Sequence, residues 1–266
     1  MIKASEIAAI IESFAPLRLQ EGWDNAGFCV GSPDTAVTGV LLALDCTLSL
    51  VMEAKERGVN MIVTHHPLIF SGIKRIIGDN PVSEVIIEAI KSDIVIYSAH
   101  TNADKTLDGV SWLMAQKLGL KNCRVLSPDP VNSMDGADVG LGVIGELEDS
   151  VSCGEFIATV KESFSLSSLK CSHPIAAAVG IVAVCGGSGK SLIADAKREG
   201  AGVYVSGDIP YHEFFTDSSI NFMIMDVGHY ESEIDIVKSI YSLITKKIPN
   251  FAVYITKDNI NPVYYF

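Results

Sequence analysis

With 266 residues, 48% of them hydrophobic, the chain has the length for one large α/β domain or two smaller ones and ample apolar material for a packed core. Lys+Arg 20 against Asp+Glu 32 leave a formal net charge of −12 and a pI near 4.9, so its field repels nucleic acid and anionic membrane surfaces, and a small-molecule or protein ligand is expected. Nothing between Met1 and Glu6 reads as a secretory signal, the apolar heart Ile175 to Cys185 is too short to span a bilayer, and the six cysteines lack CxxC or paired spacing, which together predict a reduced, cytoplasmic protein.

In chain order, Ile7, Ile10, Ile11 and Phe14 fall at helical spacing, predicting an amphipathic helix over Ala4 to Phe14 with Ser5 as cap and Pro16 as stop. Glu21 to Gly27 is turn chemistry in which Trp23 reads as a packing residue; a short strand, Phe28 to Val30, follows. Val37 to Leu44 reads as a buried strand, Leu48 to Arg57 as a helix stopped by Gly58, and Asn60 to Val63 as a second strand, one β-α-β unit. A helix from Val82 to Ile90, a strand from Ile94 to Tyr97 and a helix from about Leu107 to Leu118 continue the alternation and imply a largely parallel sheet. Pro128, Pro130, Asn132, Asp135 and Gly136 give Ser127 to Asp138 a loop composition, placing an internal boundary there between lobes of about 1–127 and 139–266. Beyond it come a strand at Gly140 to Ile144, a helix from about Cys153 to Phe164 and strands around Gly180.

The second lobe echoes the first. Val40 to Leu44, the helix ending Lys55-Glu56-Arg57-Gly58 and the strand Met61 to Thr64 correspond to Ile181 to Val184, a helix ending Lys197-Arg198-Glu199-Gly200 and the strand Gly202 to Ser206. Each is later followed by a strand ending in a histidine with a carboxylate four residues on, His100 with Asp104 and His229 with Glu233. Such a repeat predicts two pseudo-repeated β-α-β lobes in an α/β fold, mostly parallel sheets, with a shared central cleft.

Thr64-His65-His66-Pro67 sets two imidazoles at the end of a buried strand, where ligands of open α/β sheets gather. Adjacent residues of an extended strand point to opposite faces, so two neighbouring histidines serve one site only at a strand end, where they diverge towards two nearby ions. His65, His66, His100, Asp104, His229 and Glu233 are all expected at carboxyl ends of strands or in the next helical turn, a mixed imidazole and carboxylate set suited to two divalent ions. Ser232 reads as a helix N-cap, so no helical face is taken to align His229 with Glu233.

These motifs carry a resemblance. Trp23-Asp-Asn-Ala-Gly, Thr64-His-His-Pro-Leu-Ile-Phe70, Tyr97-Ser-Ala-His-Thr-Asn-Ala-Asp104, Ser206-Gly-Asp-Ile-Pro-Tyr-His212 and Gly228-His-Tyr-Glu-Ser-Glu233 resemble the motif set of the Nif-three-like proteins, also named GTP cyclohydrolase I type 2 homologues. The resemblance implies two divalent metal ions per subunit, held by His65, His66, Asp104, His229 and Glu233, with Glu233 bridging and His100 close by; as an imidazole beside such a site, His100 is the candidate proton shuttle. It also implies a toroidal homohexamer with the sites facing an internal cavity. Longer relatives carry an inserted mid-chain domain, for which the region from about Ser127 to Pro174 is too short.

Cys185-Gly-Gly-Ser-Gly-Lys-Ser191 mimics a phosphate loop, but Val184 stands where its first glycine belongs, and a tight glycine turn into a helix is expected instead. Asp208, Tyr211 and His212 occupy the place in the repeat of His66 and its neighbours, either lining the cleft or, for Asp208, capping a helix. Two function classes follow: a metal-dependent hydrolase acting on a small phosphate-bearing or heterocyclic substrate, or a metal-binding regulatory or chaperone-like ring. The ligand types suit zinc, iron, manganese and nickel alike.

Overall fold

The computed structural model describes residues 1–175, 177–216, 221–258 and 261–264; Ala176, inside the apolar heart noted above, lies outside the described residues. In chain order the elements are α1 (Ala4–Phe14), β1 (Gly27–Val30), β2 (Val40–Ala43), α2 (Leu48–Arg57), β3 (Met61–Thr64), α3 (Pro81–Lys91), β4 (Val95–Ser98), α4 (Thr101–Lys105), α5 (Val110–Lys117), β5 (Lys121–Met134) and β6 (Ala137–Val151). They continue with α6 (Cys153–Ser163), β7 (Lys170–Cys171), β8 (Val179–Ser188), α7 (Ile193–Arg198), β9 (Val203–Gly207), β10 (Met223–Asp226), α8 (His229–Glu233), α9 (Asp235–Lys247) and β11 (Val253–Ile255). Among the described residues no helix is long and apolar enough to cross a membrane.

Contacts divide the chain into two compact units, Met1–Ala103 with Asp235–Phe266, and Asp104–Ile234. The first holds a five-stranded sheet in the order β1-β4-β3-β2-β11, parallel except where β1 runs against β4. Every residue of β2, β3 and β4 is buried, the pattern of central parallel strands covered on both faces. Each fully buried Val, Leu or Ile there contributes about 1.5–3 kcal/mol of transfer free energy. Helix starts and stops follow local chemistry: Thr47 caps α2, Asn80 caps α3 ahead of Pro81, and Gly58 ends α2 at φ 67. Ser5 is not the cap of α1. Lys3 holds that position, and its N–H donates to Glu6 Oε2 at 2.8 Å.

The second unit holds a six-stranded sheet, β5-β6-β8-β9-β10-β7, with β8, β9 and β10 parallel and the other pairs antiparallel. The β8-α7-β9 passage repeats the β2-α2-β3 passage, and β10 then leads into α8 as β4 leads into α4. The Ser127 to Asp138 segment is a correction: it is the tip of the β5–β6 hairpin, not a boundary. Asp135 and Gly136 turn it at φ 50 and 79, the left-handed pair a two-residue hairpin requires. Pro128 and Pro130 are tolerated because β5 is an edge strand. The division falls instead after Ala103 and after Ile234, and the first unit is closed by α9 and β11, which no sequence motif announces. The helix expected from Leu107 to Leu118 is shorter, because Asp108 at φ 60 separates α4 from α5.

Candidate metal centre

In the first unit the buried strand β3 stops at Thr64 and delivers two histidines. His65 has no exposed surface; the His66 side chain is 22% exposed. β4, the next strand in the sheet, ends two residues before His100. Ring centroids of the three lie 5.0, 5.3 and 5.6 Å apart, and one ligand nitrogen from each falls within 4.8 Å of the others. Each ring is anchored from behind by its Nδ1–H, which donates at 2.8 Å to the Ala99 carbonyl from His65, to Asp45 from His66 and to Asp24 from His100. This fixes the tautomer, so all three leave Nε2 with its lone pair free of the proton.

Asp24 is the most committed of these anchors. Its side chain is fully buried, which pushes the carboxyl up, yet hydrogen bonds from His100 and Thr101, the His100 charge and the Asn25 N–H overcome burial and hold it at about 2. It is therefore a carboxylate at neutral pH.

In the second unit His229 and Glu233 open and close α8, one turn apart on one face, which corrects the reading of Ser232 as the cap. The helix starts a turn earlier, at Gly228 with φ 92, and the Ser232 hydroxyl instead donates to the His229 carbonyl and accepts the Gly187 N–H. Asp208 is not a helix cap either. It sits in a turn at φ 50 and accepts the His229 Nδ1–H at 2.8 Å, the role Asp45 has for His66. Asp226, 3% exposed, accepts the N–H groups of Ile209 and Gly228 and pairs with Lys170, tying together the turns that carry Asp208 and His229.

The glycine-rich segment leads into a helix as expected, but later than its composition suggests: β8 runs on through Ser188, so Gly186 and Gly187 belong to the strand end, and Gly189 caps the 3-10 turn Lys190–Leu192 that precedes α7. Gly187, at φ 60, lies under Glu233: a Cβ there would collide with the Glu233 carboxylate and stand 3.5 Å from His229 Cε1. Asp104, in α4, belongs to this unit, and the buried Cys185 has its thiol pushed up to about 12 by burial and then by the Asp104 charge. That thiol is protonated and inert.

The donor set fits divalent ions. With Nδ1–H committed to Asp208, the remaining lone pair of a neutral His229 sits on Nε2, 3.1 Å from Glu233 Oε2. Two acceptors facing each other at that distance repel unless a proton or a cation lies against them.

Over residues 2–262 the sequence matches the DUF34/NIF3 (NGG1p interacting factor 3) family. The chain belongs to the DUF34/NIF3 family. Among DUF34/NIF3 relatives, a "GTP cyclohydrolase 1 type 2 homolog" of Clostridium perfringens is 36% identical over 87% of this chain and 87% of its own, and one of Clostridium acetobutylicum is 32% identical over 98% of both. A Bacillus cereus crystal structure described as a protein related to NIF3 superposes with a TM-score of 0.89 at 26% identity, covering 100% of this chain and 99% of that one.

Of the residues singled out from sequence, the structure gathers His65, His66 and His100 in one unit and places Asp104, His229 and Glu233 in the other. Tyr211 and His212 form an exposed ring cluster with Phe215. Sequence reasoning missed Asp24 and Asp45 as anchors. Asp45 stands just past the carboxyl end of β2, in the row of strand ends that supplied the histidines, and that position was the signal.

Proposed function

We infer that the protein is a dinuclear metal-dependent hydrolase-like member of the DUF34/NIF3 family, acting on a small nucleotide-like or heterocyclic substrate. On the family resemblance, His65, His66, Asp104, His229 and Glu233 would serve as ligands to two divalent ions. One observation carries this reading: four histidines each commit Nδ1–H to an oxygen at 2.8 Å and so offer Nε2 alone. The chain's two passages between units, after Ala103 and after Ile234, each adjoin a carboxylate of the set, Asp104 and Glu233. The names of the clostridial relatives point to GTP as the first substrate to try.

Bound ions would supply Lewis acidity, polarising the substrate and acidifying a water. The remaining work falls to side chains. Glu233 would offset the repulsion between bound cations, Asp45 and Asp208 orient His66 and His229, and His100 would move a proton, its ring held by the Asp24 carboxylate. The family resemblance supports a toroidal homohexamer, and six free cysteines suit a reducing cytoplasm.

The test is turnover by metal-loaded protein across nucleotides, phosphodiesters and cyclic amides, against a Glu233→Gln control. Product formation that disappears in the control is expected. No turnover above the control, together with coordination spectroscopy showing every metal position filled by protein, would replace the enzyme reading with a structural or regulatory metal site.

A further inference from the structure

Two large aromatic side chains stand in water beside His100. Trp23, expected to be a packing residue, is 59% exposed, and Phe70 is 57% exposed. Their ring centroids lie 5.7 Å apart at 47°, and each meets His100 near edge-on, at 6.1 and 6.2 Å with interplanar angles of 73° and 72°. No two of the three are stacked, so they do not satisfy one another face to face; they converge as a cup.

The cup is built rather than incidental. Asp24, next to Trp23, holds His100 and Thr101, while the Asn25 side-chain amide donates to the Ile69 carbonyl at 2.7 Å. The segments bearing Trp23 and Phe70 are thereby fastened to each other and to the histidine. Exposing that much ring surface forgoes burial free energy that other large apolar residues of the unit gain.

Phe70 also lines a cavity of about 790 Å³, within the range of small-molecule sites. Ile73, Lys74 and Arg75 line it too, with Asp79 opposite Arg75 at 3.9 Å. In a chain of net charge −12, a cavity wall with two cations against the single carboxylate of Asp79 carries a net positive charge, which favours an anion there.

We propose that Trp23, Phe70 and His100 receive a flat heteroaromatic ring, and that Lys74 and Arg75 receive the phosphate of the same ligand, a molecule of nucleotide size. This deepens the function proposed above and rests on it for the placing of the ring beside the metal ligands. Binding itself requires no turnover, so the two are separable.

Calorimetric titration of the metal-loaded protein with GTP, guanosine and inorganic tripolyphosphate tests it. Trp23→Ala and Phe70→Ala should each weaken GTP and guanosine by about 5- to 150-fold, the range for loss of one base-stacking ring, and leave tripolyphosphate affinity and metal content unchanged. Lys74→Ala with Arg75→Ala should weaken GTP and tripolyphosphate and spare guanosine. Trp23→Phe, which keeps a ring, should retain most of the GTP affinity and guards against misfolding as the cause. Unchanged GTP affinity in the aromatic variants, or absence of nucleoside binding by the wild type, overturns the proposal. So does a change in sedimentation of the aromatic variants at unchanged GTP affinity, which would assign the face to a contact between copies of this chain. Binding as expected without turnover upholds the ligand site and removes the hydrolase reading alone.

Discussion

Replacing Gly187 by alanine separates a backbone role of this residue from its role beneath Glu233. At φ 60 an alanine adopts a conformation that costs about 1–2 kcal/mol. Its methyl would also overlap Glu233 Oε1 and lie 3.2 Å from Cδ, so the carboxylate must withdraw by about 1 Å to restore van der Waals contact. A ligand displaced that far, when sites tolerate about 0.5 Å, should lower metal affinity by about 10- to 100-fold. Gly200→Ala is the matched control, since Gly200 has φ 82 and nothing within 4 Å of the point its Cβ would occupy. Denaturant titration should show similar losses of stability for both variants, whereas chelator competition should show weakened metal binding in Gly187→Ala only. If both variants hold metal equally well, Gly187 is not shaped around Glu233, and the explanation of the glycine-rich segment falls.

Other outcomes follow from the same geometry. Glu233→Gln should empty both metal positions, His66→Ala should leave about one ion per subunit, and His100→Ala should keep both while losing turnover; near-full occupancy in Glu233→Gln by elemental analysis refutes the bridge. Asp24→Asn should release the tautomer of His100, read as altered ¹⁵N imidazole shifts, with about a 10- to 100-fold loss of activity; an unchanged spectrum contradicts the anchoring role. Asp129 is held well below the usual carboxylate range by the Val131 N–H, against the opposing effect of burial, with further help from Asn132 and the Lys105 ammonium at 3.1 Å. Its contribution is therefore fully present above the unfolded carboxylate pKa of about 3.9 and is lost as pH falls through the lower folded value. Asp129→Asn should accordingly destabilise most at pH 7, with the gap in urea midpoints narrowing below about pH 4; a constant gap refutes the linkage.

Much of the fold was legible because buried parallel strands write themselves as short uncharged runs. Val40 to Ala43, Met61 to Thr64 and Val203 to Gly207 carry no charge, and each is followed or preceded by a helix closed with glycine. The candidate site was legible for a related reason: histidines and carboxylates recurred at the ends of those runs. What was hidden depended on tertiary pairing. Pro128 and Pro130 read as loop because an edge strand tolerates what a central strand forbids, and only the strand order reveals which is which. Trp23 reads as core from its composition; its exposure follows from the fastening of Asp24 and Asn25 to distant residues, which no local pattern encodes. The Asp24 and Asp45 anchors were missed likewise, since a carboxylate behind an imidazole lies far from it in sequence.

The pairing of β11 with β2 sets a timetable for synthesis. Val40 finds Val253 beside it, and Ile255 lies against Leu42, so the partner of β2 is made long after β2 itself. At translation speeds of about 5–20 residues per second, β2 waits roughly 10–40 s for that partner. Meanwhile Asp104–Ile234, a continuous stretch, emerges whole and is able to assemble its own sheet first. A chain stopped after Ile234 would carry every candidate metal ligand and still present Val40 to Ala43 as an uncharged open edge, the geometry that seeds strand-to-strand aggregation.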